Sequence, residues 1–134
     1  MLPLAYPRRW QLASAILLML VLVGALAPAF LPWLANGPPL IPQFDKWMHG
    51  ITFALLALWF TGQYARRSWV WVFAGLCLYG AFIELGQALL PYRTAEWADL
   101  GADALGSIGG FVIAALVTGG WCVRAESWLQ ERFG

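Results

Sequence analysis

Residues 83–106 (IELGQALLPYRTAEWADLGADALG) hold Glu84, Gln87, Arg93, Glu96, Asp99 and Asp103, a concentration of charge in a chain that is only 11% charged. Earlier in the chain stand Asp45, Lys46 and His49, the last being its one histidine. Carboxylates at Glu84, Asp99 and Asp103 beside an imidazole suit metal binding or acid–base work. Lys46 and Arg93 suit a phosphate or carboxylate, Arg93 with the geometry to grip it bidentately. The candidate catalytic groups are therefore His49, Glu84 and Asp103, and the candidate binding groups Asp45, Lys46, Gln87, Arg93 and Asp99. The plainer readings are that His49 is a packing residue, that Lys46 and Arg93 only close salt bridges, that Gln87 caps the network, and that Asp45 and Glu96 are solvated. With one histidine and no H-E-x-x-H, metal and cofactor stay unassigned. There is no G-x-S-x-G and neither Cys77 nor Cys122 falls near these residues, so nucleophilic acyl transfer has no support.

Spacing places the polar residues in pairs on helix faces. Asp45 and His49 are four apart, Glu84 and Gln87 three, Asp99 and Asp103 four, and each pair shares one side of a helix. At 1.5 Å rise per residue, His49 and Asp103 each lie roughly 6 Å beyond the first member of their pair, and Glu84 roughly 10 Å from Pro91. Three stripes at similar depth are satisfied most simply by facing one another around a small polar cavity. Turned towards hydrocarbon, each group would lose several kcal/mol of hydration.

The elements that must carry these stripes are apolar helices. The chain is 61% hydrophobic with a mean hydropathy of +0.68, outside the range of soluble domains. Its expected architecture is a single all-α polytopic membrane domain over 1–134, a four-transmembrane-helix bundle with spans near 12–31, 46–64, 69–90 and 99–120. The first span follows Arg8 and Arg9 and is read as an uncleaved helix; it is longer than a signal core, and Pro28 follows the Ala25-Leu26-Ala27 triplet at once. A proline-rich, apolar loop at 32–44 and a polar loop at 91–98 separate helices. Ala98, Ala102, Gly106 and Gly110 repeat every fourth residue and offer a flat face for close helix contact. The tail 121–134 reads as a short amphipathic helix on the membrane surface, with Trp121, Ala125, Trp128, Leu129 and Phe133 on its apolar side.

With four spans, Arg8, Arg9, Arg66, Arg67, Arg124 and Arg132 fall on one side and Lys46 and Arg93 on the other. The bias predicts cytoplasmic termini. The candidate residues then share the outer face. Most tryptophans fall near predicted helix ends, where aromatic belts lie. Net charge near +1 says nothing useful about nucleic acid, and with no basic run to suggest it none is expected as a partner. Cys77 and Cys122 are expected at different depths and read as free thiols.

Asp45-Lys46-x-x-His49 entering a span, Glu84-x-x-Gln87 ending one, Arg93 in the next loop, then Asp99 and Gly106 in a fourth span resemble the VanZ-like family of small bacterial membrane proteins. The resemblance covers 45–110 in order and spacing. It implies a multi-pass protein of the bacterial inner membrane, in a family named for resistance to the glycopeptide teicoplanin, and it brings no agreed reaction. The matching positions are Asp45, Lys46, His49, Glu84, Gln87, Arg93 and Asp99. One departure stands at Asp103, where the family pattern leads one to expect Asn; an acid there makes the cavity more negative and favours a cation or a shared proton.

The leading functional reading is an envelope protein whose outer cavity binds an envelope lipid or lipid-linked headgroup. A membrane-embedded hydrolase or transferase on a lipid-linked substrate, using His49 and buried carboxylates, is the second. A structural or partner protein, with the polar cluster fixing helix register, is the third. A transporter needs an oligomer to make a through-path, and a homo-oligomer is an open expectation.

Overall fold

The computed structural model describes residues 1–30, 44–90 and 96–133. Five α-helices account for most of them: α1 (Pro7–Phe30), α2 (Phe44–Gln63), α3 (Trp69–Ala88), α4 (Trp97–Ile113) and α5 (Trp121–Phe133). No strand occurs among the described residues. The loop expected over 32–44 lies outside them except for Phe44, which is helical and opens α2, and the Arg93 side of the second loop lies outside them as well.

Local chemistry sets several of the helix limits. Pro7 opens α1, a position where the missing N–H costs nothing, so Arg8 and Arg9 are already inside the helix rather than in a head before it. A 3-10 turn, Arg66–Ser68, carries the chain from α2 to α3. At its far end α4 widens into a π-helical turn, Ala114–Thr118. Gly120, at φ 72°, then turns the chain into α5, a conformation glycine adopts freely.

Three helical stretches are long and apolar enough to cross a membrane: Pro7–Leu26, Arg66–Ala88 and Trp97–Thr118. Helix α2 has 20 residues but is not among them; Asp45, Lys46 and His49 make its first turns polar. It is nevertheless the helix with the most enclosed apolar side chains. Phe53, Leu56 and Ala57 have at most 1% of their surface exposed, and with Leu76 and Ile83 of α3 they make the core. Helix α1 covers that core with Leu17, Leu18, Val21, Leu22 and Ala25, while Leu12, Ile16, Met19, Leu20 and Val23 face outward.

The tightest contact joins α2 and α4. A Cβ at Gly106 would overlap the Gly50 carbonyl, and one at Gly110 the Ala54 carbonyl. The small-residue face expected on this helix is thus used, from Gly106 to Gly110; Ala98 is exposed and takes no part. Backbones this close gain dispersion and Cα–H···O contacts that larger residues would prevent.

The two ends of the bundle differ. At one, the Leu2 N–H donates to the Gln63 carbonyl at 2.7 Å, Arg66 donates to the Ala115 carbonyl at 2.6 Å, and Trp10, Trp59 and Trp121 pack with ring centroids 5.5–5.6 Å apart. The N-terminal segment, the α2–α3 turn and α5 therefore share this end. Helix α5 also packs on the bundle through residues off its apolar stripe. Cys122 and Glu126 are buried, whereas Trp128 and Leu129 are about half exposed, at 53% and 47%. Both cysteines are free thiols.

Candidate functional site

The opposite end is where the packed stripes of three helices turn polar. On α3 the buried positions are Leu76, Gly80, Ile83, Glu84 and Gln87. On α4 they are Asp99, Asp103, Ser107 and Gly110. On α2, Phe53 is buried and His49, one turn earlier, is partly so. Helical periodicity explains this: along each helix the buried positions recur every three or four residues, so packing one face aims its polar members at the neighbouring helices.

His49 is the centre. Its Nδ1 lies 2.8 Å from Asp103 Oδ1, and its Nε2 lies 3.9 Å from Glu84 Oε1. A carboxylate at Asp103 can only accept, and in that state Nδ1 carries the hydrogen and donates it. Nε2 is the nitrogen that faces Glu84. Asp103 is 1% exposed, Glu84 and Asp99 5% each. Glu84 Oε1, Asp103 Oδ2 and Ser107 Oγ are buried without a hydrogen-bond partner among the described residues. Gly80 makes room for the acid: a Cβ there would stand 2.5 Å from Asp103 Oδ2.

Lys46 lies at the rim, its side chain 30% exposed. Its Nζ is 2.6 Å from Glu96 Oε2 and 3.8 Å from Asp99 Oδ1. Glu96, expected to be solvated, is half exposed and paired with it. The cluster of His49, Glu84, Asp99 and Asp103 is thus an acid-rich site with an imidazole inside and an ammonium at its edge. A nitrogen of His49 and one carboxylate oxygen each of Glu84 and Asp99 lie within 4.8 Å of one another, close enough for one cation to reach all three.

His49, Glu84, Asp99 and Asp103 therefore converge as the spacing anticipated, and Lys46 borders them. Gln87 does not. Its side chain turns to α1 and donates to the Ala25 carbonyl at 3.0 Å, because a buried position three residues after Glu84 meets the neighbouring helix. Arg93 lies outside the described residues, as does the side chain of Asp45. Two contributors escaped the sequence reading. Ser107 continues the Asp99–Asp103 spacing by one more turn, a signal that was available. Gly80 could be found only once α3 and α4 were packed.

A second polar centre lies at the other end, around the buried Glu126 of α5. Glu126 accepts from the Ala5 N–H at 2.6 Å, the Tyr6 N–H at 3.1 Å and the Trp10 Nε1–H at 2.7 Å. Burial opposes its charge, but these three donors outweigh it and hold the carboxyl below the usual carboxylate range. Nearby, burial first and the Glu126 charge second push the Cys122 thiol up to about 12.

Among known proteins, the model of the family described as VanZ/LLP1 matches residues 4–118. Neither curated proteins nor solved structures gave a match. With most of its length covered by that one model, the chain belongs to the VanZ/LLP1 family.

Proposed function

We propose that this member of the VanZ/LLP1 family is a four-span envelope protein of the bacterial inner membrane, whose acid-rich site faces outward and binds the polar head of an envelope lipid or lipid-linked molecule. The observation that carries the reading is the pair of buried, unpartnered carboxylate oxygens, Glu84 Oε1 and Asp103 Oδ2, at the end of an apolar bundle. Groups left without a partner in such a place cost several kcal/mol and are retained for use. They favour a headgroup rich in hydroxyl or ammonium donors. Lys46 at the rim, and Arg93 by expectation, supply contacts for its phosphate.

The fourth span in this reading is α2. At 20 residues it reaches about 30 Å, the thickness of the hydrocarbon core. Its polar residues Lys46 and His49 meet the acids Glu96, Asp99, Glu84 and Asp103, so it need not be apolar by itself. Arg8, Arg9, Arg66, Arg67, Arg124 and Arg132 belong to the end away from the site, and the positive-inside rule makes that end cytoplasmic. A link to glycopeptide resistance is the phenotype to follow, on the strength of the family name.

The test is co-purification of labelled lipids with protein extracted in mild detergent. Glu84→Gln and Lys46→Ala are expected to lose headgroup-selective retention while keeping helical content. Unchanged selectivity in both folded variants overturns the reading.

One observation favours a second reading, a hydrolase or transferase. A base oriented by a buried carboxylate, as His49 is by Asp103, is the arrangement acid–base enzymes use. His49→Ala in a normally folded protein would then remove the phenotype without removing lipid retention. Retained phenotype dismisses it.

A further inference from the structure

We propose that His49, Glu84 and Asp99 bind a divalent cation, with Asp103 as the positioning residue that orients the histidine. The inference uses the same cluster as the lipid reading but does not depend on it.

Four features of the site point this way. The donor set is one imidazole nitrogen and two carboxylates, a mixture that suits Zn²⁺ or Mn²⁺. The donors are already gathered, all within 4.8 Å of one another, with His49 Nε2 and Glu84 Oε1 3.9 Å apart. Bonds of about 2.1 Å at tetrahedral angles need donors about 3.4 Å apart, so a small side-chain rotation closes the site. Glu84, nine-tenths buried and more, directs an oxygen without a hydrogen-bond partner at the imidazole.

The fourth feature is the Nδ1–H bond to Asp103. A metal-bound histidine characteristically donates its other ring hydrogen to a carboxylate, which fixes tautomer and ring orientation and raises the basicity of the ligating nitrogen. Asp103 stands in that place at 2.8 Å. Gly80 clears space for it. A carboxylate acceptor strengthens the imidazole as a ligand more than an amide in its place would. Three protein ligands leave a coordination position for an external oxygen, such as a headgroup phosphate or a water.

The single histidine makes the test clean. Full-length protein is purified in detergent without a polyhistidine tag, stripped with chelator, and titrated with Mn²⁺ or Zn²⁺. One metal per chain is expected. Pulsed EPR of the Mn²⁺ form should show imidazole nitrogen coupling, which in this chain can come only from His49. Folded wild type that binds no metal, or binds it without nitrogen coupling, overturns the proposal, and this arm needs no variant.

The variants separate the roles. Asp99→Asn and His49→Ala should abolish the site, whereas Asp103→Asn should weaken it about 10- to 100-fold and keep the nitrogen signal, as loss of an orienting carboxylate does. Undiminished affinity in Asp99→Asn also overturns it. Lys46→Ala should leave metal stoichiometry at one while headgroup retention falls. Metal bound without headgroup selectivity sinks the lipid reading alone; selectivity without metal sinks this one alone.

Discussion

His49 is held at one nitrogen and open at the other, and that asymmetry comes from two acids on two different helices. Glu84 faces the open nitrogen, and its Oε1 lies buried with no donor to it. Removing that charge should stabilise the protein and disable the site, the usual exchange at functional positions. Glu84→Gln is expected to raise the unfolding midpoint in detergent by the equivalent of about 1 kcal/mol; a lower midpoint would mean that the carboxylate serves the fold. Glu126 is the opposite case. Its charge accepts three hydrogen bonds, so its folded-state pKa lies below its unfolded one. The stability it contributes is present above the unfolded value and is lost as pH falls through the folded one. Thermal melts of the wild type should therefore drop as pH is lowered through the carboxylate range. Glu126→Gln should start lower by about 1–3 kcal/mol and show less of that drop. Identical pH profiles would contradict it.

Helix pairing is decided by glycine. Gly106 and Gly110 let α4 meet the carbonyls of Gly50 and Ala54, and no side chain fits there. Gly106→Ala should cost about 1–3 kcal/mol or prevent assembly, and by pushing α4 from α2 it should also part His49 from Asp103. Gly109, on the same helix, meets nothing within 4 Å, and Gly109→Ala should be neutral or gain about 0.5–1 kcal/mol from helix propensity. Urea or SDS titrations of the two variants check the contrast; equal effects would mean that the close approach is not what holds the pair. The repeat of small residues was legible from the chain. Which of them make the contact was not, because the choice depends on the rotation of α4 about its axis, and α2 supplies the other half of that information.

At the scale of the whole molecule, the arginines among the described residues gather at one end and the candidate site lies at the other. Single cysteines introduced in a Cys77→Ala, Cys122→Ala background test the topology with a membrane-impermeant maleimide on whole cells. Trp97→Cys, at a site 89% exposed, should label from outside, and Arg124→Cys only after lysis. The reverse pattern would invert the orientation. In the unaltered chain Cys122, buried and with its thiol pushed up to about 12, should react slowly even after lysis.

The sequence by itself determined the helical class, the membrane-like composition and the shared helix faces of Asp45 with His49, Glu84 with Gln87, and Asp99 with Asp103. These follow from composition and from the 3.6-residue period, which every helix obeys whatever its neighbours. Only the tertiary structure decided what each polar group meets. It sent Gln87 to α1 rather than to the site, turned Glu126 inward as the anchor of the N-terminal segment, and made Gly80 the space that Asp103 occupies. Periodicity assigns a residue to a face of its own helix; the identity of the facing atoms depends on how helices distant in sequence are rotated and spaced against one another, which no local pattern contains.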